Sequence, residues 1–259
     1  MNKSVVAVLS VIFVLSAGIT SAQDNQEPVE IVSRIVPAEV WTCSYNDGQG
    51  PQDLDDAVDA WTEYMNENGA DDYAAWTLTR HYYSAEQDFD FIWLGAWKDG
   101  NAMGQGTDML YSTGTGVLGN FFRVASCDNH INAGSIAYRI PNGGANAANT
   151  VLTFSNCSIE EGANYSQVVE ATKAWAEVLD GTGSQAGIYH WFPIYGGGDA
   201  DMDFIWLGAY PGHAALGADY ERMTNGELFR QRNALFAGLL DCDVTRVYNA
   251  QSRRAAQIR

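Results

Sequence analysis

Basic residues are scarce. Against 32 Asp and Glu, the 259 residues hold only 14 Lys and Arg, a formal charge of −18. A chain of that sign repels a phosphate backbone, which excludes a nucleic-acid groove binder. Such a charge keeps a protein soluble and favours cations, and a diffuse acidic coat is its simplest meaning. Histidine is scarce too, at four residues. The chain has no CxxC pair, no HExxH, no GxSxG elbow and no Gly-Lys phosphate loop, so the common metal, hydrolase and nucleotide signatures are missing. Gly114 to Gly119 reads GTGVLG and matches GxGxxG in form. Without a preceding strand or a suitably spaced acid it is not read as a dinucleotide site.

Long apolar runs are missing after the first. That run, Val5 to Ile19, follows Lys3 and is followed by Thr20, Ser21 and Ala22, the pattern of a secretory signal over residues 1–22. Residue 23 is Gln, not Cys, which argues against a lipid anchor. The expected product is exported, periplasmic or extracellular, with no stable membrane anchor after cleavage. A hydrophobic share of 46% with 18% charged residues is enough to bury a core and excludes a disordered or collagen-like chain.

An internal repeat is the dominant feature. Residues 88–97 read DFDFIWLGAW and residues 201–210 read DMDFIWLGAY. Offsets of 113 to 115 carry Cys43 onto Cys157, Trp61 onto Trp175, Tyr82 onto Tyr195 and Cys127 onto Cys242. Four landmarks in one order indicate a duplication.

Each copy begins with a strand, Glu39 to Tyr45 or Val151 to Ile159. A helix follows, with Leu54, Val58, Trp61 and Met65 in one copy and Val168, Thr172, Trp175 and Leu179 in the other at helical spacing. Two strands in a hairpin come next, Tyr73 to Tyr83 and Gly187 to Tyr195 each leading into a DFIWLGA strand. Helical segments at 101–125 and 213–240 precede last strands at Val124 to Tyr138 and Leu240 to Tyr248. The order β-α-β-β-α-β is the split βαβ of ferredoxin-like folds. The expected organisation is a signal at 1–22, repeat 1 at 31–141 and repeat 2 at 142–250. Residues 141–150, PNGGANAANT, are the linker, and the tail from Gln251 is expected to fray.

Four Cys at equivalent positions of an exported chain favour two disulfides. Symmetry leaves two pairings: Cys43 to Cys127 with Cys157 to Cys242 within copies, or Cys43 to Cys157 with Cys127 to Cys242 between them. First and last strands are antiparallel neighbours in a ferredoxin-like sheet, which favours the first pairing.

This order, duplicated in tandem, resembles the dimeric α/β barrel superfamily, whose members pair two ferredoxin-like units. The resemblance covers nearly the whole mature chain. It implies an α+β fold in which two tandem ferredoxin-like β-α-β-β-α-β repeats form an intramolecular α/β barrel, a monomer acting as a pseudo-dimer. The superfamily includes antibiotic-biosynthesis-type monooxygenases, haem-degrading enzymes, chlorite dismutases and dye-decolourising peroxidases, so the fold does not select a function. The GxxDG haem motif of the last group is missing here, and the resemblance leaves only His213 as a haem ligand.

Among candidate site residues, none of His81, His130, His190 and His213 is duplicated, so any histidine chemistry belongs to one half. His190 lies among Tyr189, Trp191 and Phe192 as a pocket candidate. Asp199, Asp201 and Asp203 alternate before the second FIWLGA run, matching Glu86, Asp88 and Asp90. Alternation places them on one face, where calcium is one answer to their repulsion and a solvated hairpin end is the other. Trp93 and Trp206, with Tyr82 and Tyr195, are candidates to line a barrel cavity. Three functions follow: binding of a small apolar ligand in that cavity with no cofactor firmly implied; a haem-dependent or cofactor-independent oxidoreductase with one active half; or a protein-interaction module.

Overall fold

The computed structural model describes residues 34–141, 149–198 and 201–256. The predicted signal, most of the predicted linker and Asp199 lie outside them.

Strand β1 (Val36–Tyr45) leads into helix α1 (Pro51–Glu67). Pro51 opens the helix, and the Asp53 carboxylate accepts from the Gly50 amide at 2.9 Å, placing an acid in the first turn where the helix dipole favours it. Leu54, Val58, Trp61 and Met65 are buried, as their spacing predicts. Gly69, at φ +71°, supplies the left-handed residue that turns the chain out of the helix. Strands β2 (Tyr73–Tyr82) and β3 (Phe91–Trp97) form the predicted hairpin. Two helices follow where the sequence suggested one segment, α2 (Gly100–Ser112) and α3 (Thr115–Val124), and β4 (Ala125–Arg139) closes this half.

The remaining elements come in a matching order: β5 (Asn149–Ile159), α4 (Tyr165–Gly181), β6 (Gly187–Tyr195), β7 (Phe204–Tyr210), α5 (His213–Thr224), α6 (Leu228–Phe236), β8 (Leu240–Cys242) and β9 (Arg246–Arg254). Helix α4 starts in a capping box. The Asn164 side chain accepts from the Gln167 amide at 3.1 Å, and the Gln167 side chain accepts from the Asn164 amide at 3.0 Å.

Two expectations fail at the end of the chain. The single strand expected at Leu240 to Tyr248 is two, because Asp243 turns out of the ladder: its carboxylate accepts from the Asn156 amide at 2.8 Å and its amide donates to the Asn156 carbonyl at 2.9 Å. Nor do Gln251 to Arg254 fray. They continue β9, which pairs with β2 from Tyr82 opposite Val247 to Ala75 opposite Arg254.

All strand pairs are antiparallel, in the order β7-β6-β4-β1-β3-β2-β9-β5, and β5 returns to β7 to close an eight-stranded barrel with β8 attached to β5. Closure leaves no free edge among those eight strands. Leu78, Ile92, Leu94, Leu152, Leu207 and Tyr248 belong to the cluster that fills the interior. The helices pack outside, α1 to α3 on one side and α4 to α6 on the other. No helix among the described residues is long and apolar enough to cross a membrane.

Both disulfides join neighbours within a half. Cys43 bonds Cys127 from β1 to β4, and Cys157 bonds Cys242 from β5 to β8. Each pair sits directly opposite in strand register.

Candidate functional site

The ligand was expected in a cavity between the sheets; the two clefts lie elsewhere. Phe91, Trp93 and Trp97 alternate with Ile92 and Leu94 along β3, and the odd-numbered set faces the helices while the even-numbered set fills the barrel. Trp206 on β7 faces the helices in the same way. Both tryptophans therefore line clefts outside the barrel, between sheet and helices.

The larger cleft, about 330 Å³, lies under α4, α5 and α6. Trp175, Trp206, Leu216 and Met223 give it apolar walls, and Ser155, Thr245, Tyr210, Asp219, Arg222 and Arg232 supply its polar groups. Most of these are already engaged. Asp219 accepts from Arg222 Nη1 and from Ser184 Oγ, both at 2.6 Å, and the Ser155 and Thr245 hydroxyls bond each other at 2.8 Å. Burial, followed by the charge of Asp219, raises the Tyr210 phenol well above its ordinary value, so it remains a neutral donor.

Arg232 is different. Its guanidinium lies 5.6 Å from the Trp206 ring centroid and 5.5 Å from that of Phe236. No carboxylate among the described residues pairs with it. Burial pulls its pKa below the ordinary arginine value, and an arginine still remains charged.

The first half has a slot of about 80 Å³ under α2 and α3, walled by Trp41, Trp61, Trp93, Trp97 and Phe121. Four side chains form one hydrogen-bonded chain there. Trp93 Nε1 donates to the Tyr73 hydroxyl at 3.0 Å, Tyr73 donates to Glu39 Oε1 at 2.5 Å, and Glu39 Oε2 meets His130 Nε2 at 2.9 Å. Gly95 makes this crossing feasible: a Cβ there would collide with the Tyr73 hydroxyl and come within 2.8 Å of Glu39 Cγ. Burial, and then the Glu39 carboxylate, raises the Tyr73 phenol well above its ordinary value.

Strand register explains why the two clefts differ in size. Glu39 pairs with Gly95 on β3, and Thr153 pairs with Gly208 on β7. Trp41 pairs with Trp93, and Ser155 with Trp206. Ala74 and Gly187 face the matching alanines Ala96 and Ala209, so Tyr73 corresponds to Ala186. Where one half carries Glu, Trp and Tyr, the other carries Thr, Ser and Ala. The volume those side chains fill on one side is open on the other.

Several sequence candidates are placed elsewhere. Tyr82 and Tyr195 are 63% and 64% exposed, because they lie past the last residues of β2 and β6 that pair with the neighbouring hairpin strand. His190 is fully buried and lines neither cleft. Its ring packs on Phe204 at 4.5 Å and Tyr138 at 4.6 Å, Nδ1 lies 3.1 Å from the Tyr165 hydroxyl, and burial pulls its pKa down to about 3. His213 begins α5, with Nε2 on Asn249 Oδ1 at 2.6 Å and its ring 4.4 Å from that of His81. Asp203 is a strand fastener. Its Oδ2 accepts from the Ile159 amide at 2.6 Å, just as Asp90 accepts from Tyr45 at 2.8 Å. Asp201 is exposed, and no group of three metal-ligating side chains gathers among the described residues.

The residues that give the clefts their character, Arg232, Tyr73 and Glu39, were not singled out by repeat matching, which rewards identity. Comparing the sizes of unequal partners would have found two of them.

Neither cleft fits haem. No histidine lines the larger one, its Cys242 sulfur is held in a disulfide, and its Tyr210 phenol is kept protonated. The slot has His130, but about 80 Å³ leaves no room for a macrocycle. His213 lines neither.

No protein-family model and no curated protein matches the chain. Solved structures do match in fold. An anthrone oxidase-like protein aligns with a TM-score of 0.51 at 7% identity, over 87% of this chain and 97% of its own. A variant chlorite dismutase from Candidatus Nitrospira defluvii aligns with a TM-score of 0.50 at 10% identity, over 85% and 94%. A dye-decolorizing peroxidase from Bacteroides thetaiotaomicron VPI-5482 aligns with a TM-score of 0.50 at 8% identity, over 87% and 96%. At these identities the likeness is one of fold.

Proposed function

From a fold of the dimeric α/β barrel superfamily with two clefts outside the barrel, we propose that this is an exported binding protein for a small, mainly apolar molecule bearing one carboxylate. The ligand occupies the cleft under α4 to α6. One observation carries the reading: Arg232 is the guanidinium on that cleft wall without a carboxylate partner among the described residues, and it stands beside Trp206. A planar carboxylate matches the guanidinium fork, and the tryptophan walls take a flat apolar body. The cleft volume, about 330 Å³, lies at the lower end of the range for small-molecule sites. Export is supported by two disulfides, by the apolar run at residues 5–19 and by the lack of a later membrane-spanning helix among the described residues.

In this reading the chain is a tandem duplication whose second half opened its cleft by losing bulk at Thr153, Ser155 and Ala186. The oxidoreductase reading rested on His213 or His190, and neither reaches a cleft. Calorimetric titration with 2-naphthoate is the test. Wild-type protein should bind it, Arg232→Gln should weaken binding at least tenfold, and 2-naphthol should bind more weakly than the acid. Equal affinity of wild type and Arg232→Gln would reject the site.

A further inference from the structure

Two of the four histidines, one from each half, meet where β2 and β9 join the halves. We propose that His81 and His213 together hold one copper(II) ion at the surface. The site stands independently of the cleft reading, since neither residue lines either cleft.

Strand pairing brings the two rings together. A bulge between Arg80 and Tyr82 leaves His81 without a partner on β9, and bulges of this kind re-aim a side chain. His213 opens α5. The ring centroids lie 4.4 Å apart, with the planes at 47°. Two imidazoles on neighbouring positions of one ion, each bonded at about 2.0 to 2.1 Å, put their centroids roughly 4.5 Å apart at a right angle and about 5 Å apart at a tetrahedral one. The observed spacing fits the right angle, the arrangement of tetragonal copper(II).

Each ring has a nitrogen free to bind. His213 Nε2 lies 2.6 Å from Asn249 Oδ1. A carbonyl oxygen only accepts, so the neutral ring keeps its hydrogen on Nε2 and its lone pair on Nδ1. Anchoring one nitrogen in this way is how a protein orients an imidazole toward a metal. Among the described residues His81 has ring contacts with Tyr82 and His213 and no hydrogen-bond partner for either nitrogen. Both histidines are exposed, which leaves water to complete the coordination. The neighbouring cation is turned away: the Arg80 guanidinium lies over the rings of Tyr83 and Phe89 and donates to the Gln87 carbonyl. A net charge of −18 draws cations to the protein, and imidazole ligands favour copper over zinc and both over calcium. The bound ion ties β2 of the first half to α5 of the second.

Titration of the chelator-treated full chain with copper(II) chloride tests the site. Wild type should bind one ion, show coupling to two nitrogens in its paramagnetic resonance spectrum, and melt at a higher temperature with copper than without. His81→Gln and His213→Gln, made separately and checked for folding by circular dichroism, should each weaken binding at least tenfold and remove the two-nitrogen pattern. His130→Gln should change neither. If one of the two site variants fails to fold, the other and the nitrogen count carry the test. No copper bound by wild type, an unchanged affinity in either folded site variant, or full displacement of copper by excess calcium, which would assign the ion to carboxylates, would overturn the assignment.

Discussion

Arg253 and Asp55, 198 residues apart in sequence, form an ion pair with Nη1 and Oδ1 separated by 2.6 Å. The same guanidinium donates through Nε to Thr77 Oγ1 at 2.8 Å. The last strand is thereby fastened to the first helix and to β2. Arg254 adds bonds to the Tyr73 carbonyl at 2.9 Å and to Asn66 Oδ1 at 2.8 Å. The Asp55 side chain is 41% exposed, so solvent discounts the pair. Arg253→Met, which keeps an apolar stem, should cost about 1 to 2 kcal/mol. Tm should fall by several degrees; an unchanged melting curve would show that the contact holds nothing.

That fastening was invisible in the sequence for a physical reason. Gln251, Ser252 and Arg253 are polar and follow the apolar run of β9, so local composition argues for fraying. A long-range charge pair and the β2 edge override it. Periodic features were legible. The stripe from Leu54 to Met65, the alternation around Trp93 and the matching positions of the cysteines predicted helix, strand and bridge, since each reflects a nearest-neighbour rule. Which face of β3 meets helices and which meets barrel was not legible, because both faces are apolar.

Each disulfide closes a comparable loop, with separations of 84 and 85 residues. Chain-entropy arguments assign about 4 to 5 kcal/mol to each. Replacing Cys43 and Cys127 by Ala should therefore destabilise as much as replacing Cys157 and Cys242, when both are followed by denaturant unfolding. Reductant should lower the midpoint of either variant further. A variant indifferent to reductant would mean that its remaining bridge contributes nothing.

His190 couples stability to acid. Its folded pKa is pulled from the ordinary value of 6.5 down to about 3 by burial, so the unfolded chain takes up a proton that the folded chain refuses. The sign follows: stability is unaffected above about pH 6.5 and is lost as pH falls toward about 3, at roughly 1.4 kcal/mol per unit. His190→Gln can still hydrogen-bond to Tyr165 and Thr172 but does not titrate there. Its unfolding free energy should fall less steeply than wild type between pH 6 and 4. Parallel curves would remove His190 as the cause.

Cleft size is the most direct handle on the difference between the halves. Tyr73 fills the first-half slot, its hydroxyl lying over Gly95, and the matching residue in the second half is Ala186, which lines the open cleft beside Gly208. A tyrosine at 186 has a precedent for its path, over a glycine and toward Thr153 in place of Glu39. Ala186→Tyr should therefore fold, with a cost of about 1 to 3 kcal/mol from added bulk, and should lower 2-naphthoate affinity at least tenfold by occupying the volume the ring needs. Arg232 stays in place in this variant, so the loss would be one of space and not of charge. Were Ala186→Tyr to bind 2-naphthoate like wild type, the ligand would have to sit outside the cleft.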